Sequence, residues 1–97
     1  MVRYEVKPDR VEENEELVRA VYAELAATEL PGLSYMTFAL EDGVGFVHVA
    51  RTDGDGENPL GAVAAFARFQ EGLGDRLVAP PTVTSMRQVG GYRVFGA

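Results

Sequence analysis

The stretch that decides the fold covers residues 33–51 and reads LSYMTFALEDGVGFVHVAR. Strand-forming residues fill both of its ends, and Asp42-Gly43 in the middle is a strong signal for a two-residue β-turn. The stretch therefore predicts a β-hairpin, with one strand over 33–40 and a return strand over 44–51.

The segments on either side of this hairpin complete an alternating order of strands and helices. Met1–Lys7 alternates in a way that predicts a strand, and the apolar spacing after it predicts a helix capped by Asp9. A second helix is expected to begin at Pro59 after the cap Asn58, and Thr82–Val89 is expected to be the last strand. The order β-α-β-β-α-β predicts a single ferredoxin-like α+β domain over residues 1–97, with both helices on one face of an antiparallel sheet.

The register of the hairpin decides which side chains share a face of the sheet. A turn at Asp42-Gly43 pairs Thr37 with His48, and paired residues point to the same face. One face carries both polar and apolar side chains, and we call it the mixed face; the other face is wholly apolar. We expect the apolar face to pack under the helices and the mixed face to be open. The open face would carry Tyr35, Thr37, Ala39, Phe46, His48 and Ala50, and the covered face Met36, Phe38, Leu40, Val47 and Val49.

The composition argues against several classes of function. With 15 acidic and 9 basic residues the net charge is -6, which disfavours binding to nucleic acid or to an anionic membrane surface. The lack of cysteine excludes disulfides and thiolate chemistry. A single histidine and an acidic loop without calcium-loop spacing predict no metal and no cofactor. The chain has no signal-peptide pattern and no long apolar run, so we expect a cytoplasmic protein.

The candidate chemistry centres on His48, the one histidine of the chain. Its ordinary pKa lies near neutrality, so it could act as a general base, with Tyr35 as the second catalytic candidate. Alternatively, His48 is a structural residue with hydrogen bonds at a dimer interface. The candidate ligand-binding residues are Thr37, Phe46, Phe66 and Phe69. The two phenylalanines of the second helix could equally be ordinary core residues.

Three segments carry a resemblance to a known family: VKPDRVEENEELVRAVYAEL, AFARFQEGLGDRL and VGGYRVF. They resemble the antibiotic biosynthesis monooxygenase domain, which belongs to the dimeric α+β barrel superfamily. The resemblance implies a homodimer in which the open sheets of two subunits face each other and form a barrel. It also implies a dimer interface at the C-terminal segment, here Tyr92, Arg93, Val94 and Phe95.

The resemblance implies several possible activities, and the residues of this chain argue against some of them. Members of the family include cofactor-independent oxygenases of polycyclic phenols, haem-degrading enzymes and proteins of no known activity. The chain lacks the tryptophan of the first two groups and the helix histidine that binds haem iron. We therefore expect a homodimer that binds a small aromatic or hydrophobic metabolite, with cofactor-independent oxygenation as its catalytic version. The alternative is a non-catalytic dimeric module whose barrel is filled by side chains.

Overall fold

The computed structural model describes residues 1–53 and 59–93. Its elements are β1 (Val2–Glu5), α1 (Val11–Thr28), β2 (Leu33–Ala39), β3 (Gly45–Thr52), α2 (Ala64–Glu71), α3 (Leu73–Arg76) and β4 (Thr82–Val83). Short 3-10 helices precede α1 and α2 at Pro8–Arg10 and Pro59–Ala62. The strands form one sheet in the order β2-β3-β1-β4, and each strand is antiparallel to its neighbours. The chain is therefore an α+β domain whose helices pack on a four-stranded antiparallel sheet.

The predicted hairpin register is confirmed, and the turn shows why it forms. Thr37 pairs with His48 in the sheet. Gly43 has a φ of 83°, a left-handed conformation that favours glycine. The Asp42 carboxylate accepts hydrogen bonds from the amides of Val44 and Gly45 at 2.9 and 2.7 Å. The side chain of the aspartate therefore organises the turn that its position in the sequence indicated.

The predicted face of the sheet is wrong, although its register is right. The helices cover the mixed face, where Phe46 and His48 are 3% and 6% exposed. On the apolar face Phe38 is 44% exposed, and Met36, Val47 and Val49 are half-buried. The polar side chains of the covered face form hydrogen bonds with one another and with helix residues, which removes most of the penalty for burying them. The wholly apolar set is consequently the open face of the sheet.

The core lies between the covered face of the sheet and the helices. It is formed by Tyr4, Val6, Val18, Val21, Phe46, Leu60, Val63, Ala65, Phe69 and Leu77. Aromatic rings stack within it, with centroid distances of 5.7 Å for Tyr4 and Phe46 and 6.1 Å for Phe66 and Phe69. Tyr4 of β1 and Val6 just after it are both buried, so both point towards the helices.

Helices α1 and α2 both begin at residues other than those predicted from the sequence. Asp9 does not cap α1, because the 3-10 turn Pro8–Arg10 leads into the helix and its N-cap residue, Arg10, has no side-chain cap. The next helix, α2, begins at Ala64 instead of near Pro59, and the predicted cap Asn58 lies outside the described residues.

The N-terminus of α2 receives its cap from another helix. The Glu24 carboxylate of α1 accepts hydrogen bonds from the amides of Ala64 and Ala65, both at 3.0 Å. These bonds satisfy two of the amides that a helix leaves free at its N-terminus. They also join α1 to α2 across the top of the core. No helix within residues 1–53 and 59–93 combines the length and the apolar character needed to cross a bilayer.

The last strand is shorter than predicted. Only Thr82–Val83 pairs with β1, and the following residues up to 91 belong to no helix or strand. Tyr92 is 81% exposed, and the guanidinium carbon of Arg93 lies 5.2 Å from the centroid of its ring. Val94 and Phe95 lie outside the described residues. The interface predicted for this segment stays a prediction.

Candidate functional site

A set of hydrogen-bonded side chains crosses the layer between the sheet and the helices. We call it the His48 network, and its members are Arg76, Asn14, Tyr4, His48, Tyr35, Thr37 and Tyr22. Strands β1, β2 and β3 contribute four of these residues, and helices α1 and α3 contribute the other three. The network therefore joins most elements of the fold.

His48 lies at the centre of the network, and both of its ring nitrogens have partners. The Tyr4 hydroxyl is 2.6 Å from Nε2. On the other side of the ring, the Tyr35 hydroxyl is 2.5 Å from Nδ1, and Thr37 Oγ1 is 3.3 Å from the same atom. Tyr4 and Tyr35 come from β1 and β2, which flank β3. The sheet order therefore places one phenol on each side of the imidazole.

Two helix residues complete the Tyr4 side of the network. Asn14 of α1 is 0% exposed, its Nδ2 donates to the Tyr4 hydroxyl at 3.0 Å, and its Oδ1 accepts from Arg76 Nε at 3.2 Å. Arg76 is 1% exposed, and its Nη2 also donates to the Phe69 carbonyl at 2.7 Å. Among the described residues no carboxylate forms a salt bridge with this guanidinium. A buried cation is thus held by neutral oxygens and by the Phe69 ring, 5.2 Å away.

Aromatic rings surround the other end of the network. The Tyr35 ring stacks on Tyr22 at a centroid distance of 5.4 Å and meets Phe66 edge-on at 6.5 Å. We call the space filled by this ring, between Tyr22, Phe66 and His48, the Tyr35 slot. All three tyrosine and phenylalanine side chains here are half-buried, and β2 is an edge strand of the sheet. The slot therefore lies near the surface, whereas His48 lies deeper.

Burial keeps the network neutral except for Arg76. Burial lowers the pKa of His48 from 6.5 to about 4, so the imidazole is uncharged at neutral pH. Burial also raises the pKa of Tyr4 to about 12 and raises the pKa of Tyr35. Both phenols consequently keep their protons. A neutral imidazole has one nitrogen that donates and one that accepts, so the network has a direction.

The structure brings most of the predicted site residues together, but on the covered face. Tyr35 and Thr37 contact His48 directly, and the Phe69 ring centroid is 5.4 Å from that of His48. Phe66 meets the site through the Tyr35 ring, and Phe46 stacks on Tyr4.

Sequence reasoning missed Tyr4, Asn14, Tyr22 and Arg76 as members of the site. Two of them carried a usable signal. Tyr4 is in phase with the apolar residues Val2 and Val6, and Asn14 falls near the apolar stripe of α1, where a polar residue requires a partner. Arg76 carried none, because it lies in a segment of ordinary polar composition.

A groove of about 600 Å³ lies on the open face of the sheet, opposite the His48 network. Strands β2 and β3 form its floor, and the segment that follows β4 forms its wall. Its lining includes Met36, Val49, Arg51, Met86, Arg87 and Gln88. This groove is separate from the Tyr35 slot, which the Tyr35 ring fills.

No protein-family model, curated protein or solved structure matches the chain. Within the described part of the chain, no group of histidine, aspartate and glutamate side chains is arranged to hold a metal ion.

Proposed function

We propose that this chain is a homodimeric protein of the antibiotic biosynthesis monooxygenase type that binds a small aromatic ligand through an oxygen placed at His48 Nδ1. One observation carries the proposal. The Tyr35 phenol lies between Tyr22 and Phe66, and its oxygen is 2.5 Å from Nδ1. The protein thus places an aryl oxygen of its own at the position where a ligand oxygen would bind. A ligand that entered the Tyr35 slot would make the same stacking and hydrogen-bonding contacts.

Access to the slot requires the movement of one side chain. Tyr35 is half-buried on the edge strand β2, and Tyr22 and Phe66 beside it are half-buried as well. Rotation of Tyr35 towards solvent would remove its contact with Nδ1 and open the slot to a ligand. The ligand therefore competes with an internal phenol, so only ligands with better stacking or a stronger oxygen acceptor displace it.

The open face of the sheet supports the dimeric part of the proposal. The strand order β2-β3-β1-β4 is compatible with a ferredoxin-like domain, in which a second layer would cover the open face of the sheet. Phe38 is 44% exposed on this face, and Met86 of the adjoining segment is 56% exposed. Exposed apolar side chains grouped on one face often mark an interface. The partner would bury Phe38, Met86 and the C-terminal residues Tyr92, Arg93, Val94 and Phe95.

Cofactor-independent oxygenation of a phenol, with molecular oxygen as the co-substrate, is the catalytic form of the proposal. His48 would contact the aryl oxygen, and Tyr35, once rotated out of the slot, would be the second catalytic residue. The support is that His48 is neutral at neutral pH and contacts the position of the aryl oxygen. Thr37 would hold the same oxygen, while Phe66 and Phe69 would provide apolar walls.

A non-catalytic dimeric module is the second candidate, and a specific observation favours it. Both ring nitrogens of His48 are already paired, and the described residues leave no buried polar side-chain atom without a hydrogen bond. A network complete in this way needs no ligand, and its role would be to join the sheet to the helices.

Titration with small aromatic probes separates the two candidates. We would add 4-methylphenol and 2-naphthol to the wild-type protein and follow the ring signals of His48, the one histidine, by NMR. Saturable shifts of these signals would support ligand binding if toluene, which has no hydroxyl group, does not cause them. Turnover of the probe in air would show that the protein is also a catalyst. If the probes shift His48 only after Tyr35→Ala has emptied the slot, the native protein is the non-catalytic module.

A further inference from the structure

Arg76 sets the direction of hydrogen bonding at one end of the His48 network. A guanidinium has only donors, so the atom of Asn14 that faces Arg76 Nε at 3.2 Å is its oxygen, Oδ1. The amide nitrogen of Asn14 must then face the Tyr4 hydroxyl, 3.0 Å away. The orientation of the Asn14 amide follows from the chemistry of Arg76 and does not depend on telling nitrogen from oxygen by shape.

The direction passes from Asn14 to His48 through Tyr4. The Tyr4 oxygen accepts a hydrogen bond from Asn14, so its own hydrogen is free for the other contact, His48 Nε2 at 2.6 Å. Nε2 therefore accepts and carries no hydrogen. Since the neutral imidazole has one N–H group, that group is at Nδ1 and donates to the Tyr35 oxygen.

The opposite tautomer leaves a buried group unsatisfied. With hydrogen on Nε2, the Tyr4 oxygen would lie between two donors, and its own hydrogen would have no acceptor among the described contacts. Tyr4 is 5% exposed, so water does not replace the missing partner. An unsatisfied buried donor shifts such an equilibrium by about tenfold or more.

We infer that Arg76 is a positioning residue that holds His48 in the Nδ1–H tautomer, so that the Tyr35 slot presents a hydrogen-bond donor. The tautomer itself does not depend on the proposed function, whereas its consequence for ligands rests on it. A ligand in the slot must bring an oxygen that accepts, such as a carbonyl, a phenolate or the lone pair of a phenol. His48 Nδ1 then donates a hydrogen bond that polarises that oxygen, so His48 would act as a donor in place of the general base that the sequence predicts.

The wild-type protein tests the tautomer directly. Because the chain has a single histidine, a long-range proton–nitrogen correlation spectrum contains only one imidazole. We expect Nε2, the nitrogen coupled to both ring C–H protons, to resonate as an unprotonated nitrogen, and Nδ1 as a protonated one. The reverse assignment, or an averaged spectrum typical of mixed tautomers, would overturn the inference.

Two substitutions test whether Arg76 is the cause. Asn14→Asp replaces the donor that faces Tyr4 with an acceptor, so the Tyr4 hydrogen turns to Asp and the tautomer should invert to Nε2–H. Arg76→Met removes the cation that orients Asn14, and should give a mixture of both tautomers. A thermal melt shows that each variant is folded. If folded variants keep the wild-type tautomer, the network does not derive its direction from Arg76.

A ligand measurement separates this inference from the proposed function. In Tyr35→Ala, whose slot is empty, 4-methylphenol should bind roughly fivefold or more tightly than 4-methylaniline, which has a poor acceptor. Adding Asn14→Asp should reduce this preference, because Nδ1 becomes an acceptor for the aniline N–H. If the tautomers behave as expected but neither probe binds, the inference about Arg76 stands and the proposed function fails. Equal preference in both variants would overturn the ligand class.

Discussion

The hydroxyl of Tyr4 lies 2.6 Å from Nε2 of His48, and this contact links the two central strands of the sheet. Tyr4 receives a hydrogen bond from Asn14 of α1, which in turn receives one from Arg76 of α3. Four residues distant in the sequence thus share one buried network. Because buried polar groups are costly when a partner is lost, the network should be both a source of stability and a point of weakness.

Acid should destabilise the protein through His48. The pKa of His48 is lowered from 6.5 to about 4 in the folded state, so the unfolded chain binds the proton more readily. The stabilisation by the neutral imidazole is fully present above pH 6.5, the pKa of His48 in the unfolded chain. It is lost as the pH falls from there to about 4, the pKa of His48 in the folded state. The loss amounts to about 3 kcal/mol in the free energy of unfolding. Urea unfolding measured between pH 7 and pH 4 checks this expectation.

His48→Gln provides the control for the acid prediction. This variant is less stable at neutral pH, but it has no imidazole to titrate. The carboxylates titrate in both proteins, so the difference between their stability curves isolates His48. The difference should narrow as the pH falls, and parallel curves would show that His48 is not the titrating group.

Asn14 and Arg76 should be strongly coupled. Asn14→Leu leaves the Arg76 guanidinium with one fewer acceptor, and Arg76→Met leaves Asn14 Oδ1 without its donor. Each substitution should cost about 2–4 kcal/mol in the free energy of unfolding. The double variant should cost about 1–3 kcal/mol less than the sum, as measured by a double-mutant cycle in urea.

Arg68→Met is the matched control for that cycle, since Arg68 is an exposed arginine of α2. It should change stability by less than about 0.5 kcal/mol. Additive effects of Asn14→Leu and Arg76→Met would mean that the two residues stabilise the fold independently.

Glu24 should stabilise α2 from a distance. Its carboxylate accepts the amides of Ala64 and Ala65, both at 3.0 Å, at the positive end of the helix dipole. Glu24→Ala should therefore cost about 1–2 kcal/mol in the free energy of unfolding. Glu16→Ala removes the same side chain from an exposed position of the same helix and should be nearly neutral. Equal effects of the two substitutions would contradict the capping role.

The hairpin was predictable because its signals are local. Asp42 and Gly43 supply the turn chemistry, and the turn dictates which residues pair across the strands. The face of the hairpin was not predictable in this way. The rule that apolar residues face the core assumes that buried polar groups lack partners, and the partners of His48 come from Tyr4 and Tyr35 on neighbouring strands.

The starts of the helices show a similar limit. Glu24 caps α2 from a position 40 residues away, so no local pattern marks residue 64 as the start of the helix. Asp9 matched a capping pattern, but the chain uses a 3-10 turn there instead. The network has the same property, since Arg76 is 62 residues from Asn14. Interactions of this kind depend on packing that the local sequence does not encode.

Phe38 should control dimerisation if the open face is an interface. Its ring is 44% exposed on the apolar face, where a lysine would place a charge against the partner subunit. Sedimentation should show a dimer for the wild type at micromolar concentration and a monomer for Phe38→Lys. Phe38→Lys should still unfold cooperatively in a thermal melt, because this side chain contributes little to the core. Ala20→Lys, on the exposed side of α1, is the matched control and should remain dimeric. A monomeric wild type would remove the interface from the proposal and leave the His48 network unaffected.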